Sequence, residues 1–217
     1  MCFSATASFG ASAVLGSIGI VAIIKSKTNS QRLFATIPLL FSVQQLSEGM
    51  LWLSLKDQGM APWQDLLTSI YLVFAMAVWP LWIPLTIRLL EKNSKRKKIM
   101  NGLVVTGALV TFAVCWVLYR YPVMVMPMHH HLHYEFGIPE AIKKLIAAFS
   151  VLYILATIIT PFVSSINKMK WLGIVFLLSY LFAVIFYRGF VVSVWCFFAA
   201  MLSFVVLWII LGLRKRL

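Results

Sequence analysis

Residues 100–119 read MNGLVVTGALVTFAVCWVLY, a run of 20 residues without a charged side chain, and the basic cluster KRKK at residues 95–98 precedes it. A helix of about 20 apolar residues crosses the hydrocarbon core of a bilayer. Basic clusters beside such runs are typical of loops on the cytoplasmic side of a membrane. This stretch therefore predicts a transmembrane helix that begins at the cytoplasmic face.

The same pattern of long apolar runs between short polar connections covers the whole chain. Hydrophobic residues make up 62% of the 217 residues, and the mean hydropathy is +0.93, whereas soluble domains average about 45–50% apolar residues. We predict an all-α transmembrane bundle that forms a single integral membrane domain over residues 1–217, with about seven spanning helices. The predicted spans cover residues 8–25, 33–55, 66–90, 100–119, 142–163, 171–187 and 190–212.

Two of these predicted spans carry signals of irregularity. The third contains Pro80 and Pro84, which predict a kink or a break because proline removes a helix hydrogen bond. The sixth is short, and a tight turn at Arg188 and Gly189 joins it to the seventh. These last two runs could instead form one buried hairpin, which would change the number of spans.

The net charge of +13 is distributed unequally between the two sets of connections. One set carries 14 of the 19 basic residues, and the other carries five. Because basic residues concentrate on the cytoplasmic side, the N-terminus is predicted outside and the C-terminus in the cytoplasm. Basic clusters between apolar runs favour anionic lipid over nucleic acid as the partner. The 14 residues are Lys25, Lys27, Arg32, Arg88, Lys92, Lys95, Arg96, Lys97, Lys98, Lys168, Lys170, Arg214, Lys215 and Arg216.

Glu48 is the acid placed clearly inside a predicted span, about 10 Å from the outer end of the second helix. A carboxylate at that depth costs several kcal/mol unless it is paired, protonated or bound to a cation. Gln45, Glu48 and Trp52 share one helical face, and Gln44 precedes Glu48 by one turn. Glu48 is thus either a metal ligand, proton carrier or catalytic base, or a structural carboxylate bonded to its Gln and Trp neighbours.

All four histidines lie in residues 124–134, MVMPMHHHLHY, within the predicted outer loop between the fourth and fifth helices. Histidine clusters bind zinc or copper. Met124, Met126 and Met128 add thioethers that would suit Cu(I). Three adjacent histidines cannot all bind one ion comfortably, so a solvated loop in which one or none is a ligand is the alternative.

The cysteines add further candidate ligands at the outer side. Cys2 presents an amine and a thiol if Met1 is removed, or is simply part of an apolar terminus. Cys196 lies about 9 Å inside the seventh helix, on a face of small residues that predicts helix packing equally well. A Cys2–Cys196 disulfide is also open, since the outer compartment permits one. Cys115 is predicted to pack within the bundle.

Three motifs in distant parts of the chain resemble those of an uncharacterised family of bacterial multi-pass membrane proteins. They are the opening MCFSA at residues 1–5, the spacing Gln45-x-x-Glu48-x-x-x-Trp52, and SVWC at residues 193–196. The resemblance covers nearly the whole chain and implies the bacterial cytoplasmic membrane. It also implies His130 as the important histidine, since Leu132 and Tyr134 follow it at the family's spacing.

The functional set that the resemblance implies is Cys2, Glu48, His130 and Cys196. Two thiolates, an imidazole and a carboxylate match the ligand preferences of zinc. We therefore expect an outward-facing zinc-type metal site, with copper as the second choice. Gln45, Trp52 and Tyr134 are expected to support it.

The first functional hypothesis is a membrane-embedded metal-dependent hydrolase that acts on a small molecule or a lipid. With three protein ligands, a zinc ion activates water, and Glu48 would be the catalytic base. With Glu48 as fourth ligand, the site would be closed and structural. The alternatives are a proton- or cation-coupled transporter that uses Glu48, and a thiol/quinone oxidoreductase that uses the cysteines.

Overall fold

The structure is a computed structural model that describes residues 4–128, 131–186 and 198–214. Five helical segments in these ranges are long and apolar enough to cross a membrane, so the expected helical membrane protein is confirmed at this level. A shorter apolar helix, Ala199–Leu213, lies in the last predicted span. The five segments are Ala5–Lys25, Gln58–Leu90, Ser94–Arg120, Glu140–Val163 and Met169–Phe186.

The described residues form ten α-helices. A 3₁₀ turn, Gln58–Trp63, precedes α4, and π-helical turns at Val73–Val78 and Leu155–Ile159 join α4 to α5 and α7 to α8. The helices are α1 (Ala5–Lys25), α2 (Asn29–Ala35), α3 (Ile37–Ser54), α4 (Gln64–Leu72), α5 (Trp79–Leu90), α6 (Ser94–Arg120), α7 (Glu140–Ile154), α8 (Thr160–Val163), α9 (Met169–Phe186) and α10 (Ala199–Arg214).

The second predicted span is two helices, because the chain breaks at Thr36 between α2 and α3. Pro38 lies in the first turn of α3, where its missing N–H costs nothing. The Thr36 hydroxyl accepts a hydrogen bond from Trp82 Nε1 of α5 at 3.0 Å, which fixes the break against its neighbour. α3 has 18 residues, about 27 Å of helix. Its polar stripe makes it less apolar than the five segments above.

Helices α1 and α3 pack antiparallel through small residues. The Ser12 hydroxyl donates to the Ser42 carbonyl at 2.8 Å, and the Ser42 hydroxyl donates to the Ser12 carbonyl at 2.7 Å. A Cβ at Gly19 would lie 2.9 Å from the backbone nitrogen of Leu39, so glycine is required for this approach. Small residues let helix backbones approach closely in membranes. This packing places Ser8 of α1 beside α3's carboxylate, Glu48.

The third predicted span is interrupted immediately before Pro80 by the π-helical turn Val73–Val78. Such turns leave backbone carbonyls without their usual helical partners. The Ala77 carbonyl accepts from the Thr111 hydroxyl of α6 at 2.7 Å, and the Ala75 carbonyl accepts from the Tyr153 hydroxyl of α7 at 3.3 Å. The interruption thereby binds three helices together.

One end of the bundle is closed by Glu91, which follows α5 and is 1% exposed. Its carboxylate accepts from the backbone N–H groups of Lys92, Asn93 and Ser165 at 2.9, 2.8 and 2.6 Å, and from the Ser165 hydroxyl at 2.6 Å. Burial by itself raises the pKa of Glu91. The bonds from Ser165, Asn93 and Lys92 outweigh burial, so the pKa lies below the usual 4.5.

Two basic residues, Arg96 and Lys168, lie at the same end of the bundle as Glu91. Arg96 donates to the carbonyls of Val163 and Ser164 at 3.0 and 2.7 Å. Lys168 lies 3.9 Å from the centre of the Trp208 ring on α10. The connections α5–α6 and α8–α9 therefore meet at this end, next to α10.

The predicted outer loop contains an antiparallel β-hairpin, so the all-α expectation was incomplete. Its strands are β1 (Val123–Met128) and β2 (His131–Phe136). The signal is the alternation of apolar and polar residues in HLHYEF at residues 131–136, which is the period of a half-buried strand. The hairpin lies against the ends of α3 and α4 opposite to the Glu91 end.

Replacing Gly107 with alanine should destabilise the protein by about 1–3 kcal/mol, because a core site without room is overpacked. The added Cβ would lie 1.8 Å from the backbone carbonyl oxygen of Pro80, which cannot rotate away. Gly102→Ala on the same helix is the control, since nothing lies within 4 Å of its added Cβ. Thermal unfolding in detergent measures both variants. Equal midpoints would show that α6 does not pack on Pro80 as described.

Glu91→Gln should lower the free energy of unfolding by about 1–3 kcal/mol at neutral pH, because buried donors lose a charged acceptor. A carboxyl group with a lowered pKa stabilises the folded state above its unfolded-state pKa. That stabilisation disappears as the pH falls through the folded-state value. The variant should therefore lose less stability than the native protein between about pH 5 and pH 3. Glu140→Gln, in an exposed pair with Lys143, should behave like the native protein.

Candidate functional site

Glu48 is completely enclosed within the protein, with 0% of its surface exposed. Its Oε2 atom accepts a hydrogen bond from Gln45 Nε2 at 3.0 Å, one turn earlier on α3. The Ser8 hydroxyl of α1 lies 3.5 Å from the same oxygen, at the limit of hydrogen bonding. Two helices thus hold one oxygen of the carboxylate in place.

Two buried polar atoms beside Glu48 have no hydrogen-bond partner among the described residues. They are Oε1 of Gln45, a residue 0% exposed, and Nε1 of Trp52, a residue 4% exposed. A buried polar atom without a partner costs about 1–3 kcal/mol, and such atoms are rare in native proteins. An acceptor and a donor are therefore both available next to an enclosed carboxylate, as a site for a polar ligand requires.

The neighbouring Gln44 points in a different direction from Gln45. Its Oε1 accepts from Trp79 Nε1 of α5 at 3.0 Å, and the Trp79 ring stacks on Phe41 at 3.9 Å between ring centres. The polar stripe of α3 therefore divides, with Gln45 bonded to Glu48 and Gln44 bonded to α5.

Gln44 also lies at the wall of a cleft of about 320 Å³, which is bounded by α3, α5, α6 and α7 with contributions from α9 and α10. Ligand pockets have volumes of about 300–1,000 Å³. Most of the lining side chains are apolar, and they come largely from the hairpin-side halves of α6 and α7. They include Phe41, Trp79, Val110, Val114, Val117, Leu118, Phe136, Ile142, Leu145, Ile146, Phe149 and Ile154, with Gln44, Ser150, Tyr153, Thr157 and Tyr180 as the polar members.

The β-hairpin covers the end of α3 that carries Trp52. Leu132 is 0% exposed and Val125 6% exposed, and both pack in one cluster with Leu51 and Trp52. Tyr134 stacks on Tyr71 of the third span at 5.5 Å between ring centres. The histidine-bearing hairpin therefore lies next to Trp52, about 6 Å along α3 from Glu48.

The structure describes four of the predicted site residues: Glu48, Gln45, Trp52 and Tyr134. Glu48, Gln45 and Trp52 share a buried face of α3, as their spacing predicted. Tyr134 packs in the cluster that contains Trp52. The predicted ligands Cys2, His130 and Cys196 lie outside the described residues.

Described neighbours of these three ligands lie near α3. Ala5 packs against the Leu51–Trp52 cluster, and Leu132 belongs to it. Ala199 at the start of α10 is buried in the main core with residues of α1 and α3.

Cys115, by contrast, is exposed on α6, so the expectation that it packs inside the bundle was wrong. Helix α6 presents this part of its surface outward, as the exposed Phe112 and Trp116 also show. Within residues 4–128, 131–186 and 198–214, no three His, Cys, Asp or Glu side chains are grouped to hold a metal ion.

Sequence reasoning missed Ser8 and the cleft. Ser8 and Ser12 are one turn apart on α1, and this small-residue spacing was the available signal for close helix packing. The cleft has no sequence signal, because its walls come from six helices whose apolar residues cannot be distinguished in the sequence from lipid-facing ones.

A family model matches residues 1–216 of the chain. The chain belongs to DUF6629, a family of unknown function. The expected membership of an uncharacterised family is thereby confirmed, over essentially the full length. No curated protein and no solved structure matches the chain. The function must therefore be inferred from the site.

Leu132→Ala should detach the hairpin from α3, at a cost of about 2–5 kcal/mol for a buried leucine. Backbone amides of β1 and β2 should then exchange hydrogen faster, measured by mass spectrometry in detergent. Met124→Ala is the control, because Met124 is 61% exposed on the opposite face of the hairpin and should leave exchange unchanged. The docking is refuted if both variants exchange at the native rate.

Proposed function

We propose that this protein is a membrane-embedded, metal-dependent hydrolase whose zinc-type site opens to the outer side of the membrane. The observation that carries the proposal is the enclosure of Glu48, with an acceptor on Gln45 and a donor on Trp52 left unused by described residues. Ionisable residues inside a membrane protein are functional candidates because they are costly. Here the free-energy cost of burying Glu48 is accompanied by that of two buried polar atoms, Gln45 Oε1 and Trp52 Nε1.

The proposed ligands are Cys2, His130 and Cys196. The support is indirect: the described neighbours of each ligand lie close to α3, and two thiolates with one imidazole form a three-ligand set of the kind that leaves zinc a position for water. In this assignment Glu48 is the catalytic base and not the fourth ligand.

The chemistry divides between the metal and the protein. A zinc ion held by Cys2, His130 and Cys196 would lower the pKa of a bound water. Glu48 accepts the proton of the attacking water, while Gln45 and Ser8 hold the carboxylate in one orientation. Trp52 Nε1 donates to the substrate oxygen on which negative charge develops, since a preoriented donor stabilises that charge.

A lipid is the substrate class that the cleft favours. Gln44 lies at the wall of the cleft and one turn from Glu48 on α3, so the cleft is the apolar cavity next to this part of α3 in which the chain of a lipid would be held. The lining is largely apolar, and the cleft lies between helices that can cross a membrane. An ester or amide lipid meets both conditions.

The proposed topology has seven spans, with the N-terminus outside and the C-terminus in the cytoplasm of a bacterial cell. The 14-to-5 distribution of basic residues supports this orientation. The gathering of the connections that contain Glu91, Arg96 and Lys168 at one end supports it as well. The hairpin and Glu48 then belong to the outer half.

Elemental analysis of the detergent-purified protein should find about one zinc per chain. Cys2→Ser and His130→Asn should lose it, because each removes a ligand. Cys115→Ser and His129→Asn are the matched controls and should keep it. Absence of stoichiometric metal in the native protein would overturn the proposal.

Glu48→Gln tests the assignment of the base. The variant should retain zinc while hydrolysis of fluorogenic ester and amide lipids in mixed micelles falls by about 10²–10⁴-fold, the usual contribution of a general base. Loss of zinc instead would make Glu48 a ligand and the site structural. Glu140→Gln, at an exposed carboxylate, should leave both metal and activity unchanged.

A proton- or cation-coupled transporter is the second candidate, favoured by the two π-helical turns at Val73–Val78 and Leu155–Ile159. Interrupted helices around a central cavity are typical of transporters. Both turns adjoin the cleft, through Ala75 and Thr157. A metal-free protein in vesicles with pH-dependent flux that Glu48→Gln abolishes would favour this candidate.

A further inference from the structure

One face of the β-hairpin carries methionine opposite histidine twice in succession, with the methionines exposed and the histidines half-buried. Met126 pairs with His133, and Met128 pairs with His131. Directly opposite residues of antiparallel strands point to the same face, with Cβ atoms about 4.5–5.5 Å apart. Met126 and Met128 are 41% and 44% exposed. The four side chains therefore form one block, called here the Met–His block, on the face that points away from α3.

The chemistry of this block is that of a soft-metal site. Thioether sulfur selects Cu(I) among biological metals, and imidazole also binds copper. The short distance across each strand pair allows a sulfur and a ring nitrogen to reach the same ion. Met124, on the same strand face, lies opposite Glu135 and not a histidine, so it falls outside the block.

We infer that the Met–His block binds Cu(I), independently of the zinc-type site. None of its residues belongs to the ligand set Cys2, His130 and Cys196 proposed for zinc. Two thioethers would be a poor choice for zinc, which prefers thiolate, imidazole and carboxylate ligands. The register of the two strands, which the sequence does not show, places the four side chains next to one another.

An exposed methionine surface could also serve lipid contact, and leucine distinguishes the two roles. Leucine has nearly the volume and hydrophobicity of methionine but no sulfur. A Met126→Leu/Met128→Leu variant therefore keeps an apolar surface and removes both thioethers. Met50→Leu/Met201→Leu is the matched control, because these methionines are 38% and 54% exposed on α3 and α10.

The test is a titration of the detergent-purified full chain with Cu(I) under reducing, anaerobic conditions, in competition with the chromophoric chelator bicinchoninate. The background for all variants is Cys2→Ser/Cys196→Ser, which lacks the thiolates of the proposed zinc-type site, and this chain should take about one Cu(I) from the chelator. Met126→Leu/Met128→Leu should bind at least about tenfold more weakly, since even supporting residues of metal sites contribute that much. The control pair and Glu48→Gln should bind like this background chain, and all should unfold at the same temperature.

Three results would overturn the inference: no Cu(I) uptake by the background chain, equal affinity in Met126→Leu/Met128→Leu, or equal weakening in the control pair. A Cu(I) affinity that survives Glu48→Gln separates this site from the proposed hydrolase. Ag(I) has the same charge and soft character as Cu(I) but is not oxidised by air. Titration with Ag(I) should rank the affinities of the variants in the same order.

Discussion

The close packing of α1 on α3 is the interaction on which the arrangement around Glu48 depends. The reciprocal bonds between Ser12 and Ser42 fix the two helices in register, and glycine at position 19 lets their backbones meet. In this register Ser8 faces the carboxylate of Glu48. A shift of one turn would leave a charged group in the bundle without its bond from α1. The small residues of α1 therefore allow close packing and also determine which polar groups of α1 and α3 face each other.

Much of the architecture could be predicted because a bilayer imposes simple rules. Helix length and the distribution of basic residues placed the long helices to within a few residues, and the spacing of Gln45, Glu48 and Trp52 placed them on one buried face. The break at Thr36 and the hairpin were missed. The break at Thr36 is fixed by a tertiary contact with Trp82, which no local pattern records. The hairpin had a local signal in the alternation of residues 131–136, but its docking through Leu132 beside Leu51 could not be read from the sequence.

The prediction for the site divides in the same way. Residue type alone indicated Glu48, since a carboxylate inside a span is unusual. Gln44 and Gln45 are adjacent in the chain but bond to different partners, Trp79 and Glu48. The sequence could not show this, because the direction of each side chain depends on the helices that pack against α3. Cys115 shows the converse. Its side chain is exposed and not packed in the bundle. The sequence of α6 has apolar residues on all sides in this part of the helix and so does not indicate which side faces outward.

Glu91 joins two segments that are far apart in the order of synthesis. Two of the hydrogen bonds to its carboxylate come from the backbone N–H and the hydroxyl of Ser165, which lies 74 residues later in the chain. Until that residue has left the ribosome, the connection between α5 and α6 has only its own local bonds from Lys92 and Asn93. Closure of this end of the bundle therefore cannot precede synthesis of Ser165, which makes it a late event in biogenesis, later than the packing of α1 on α3.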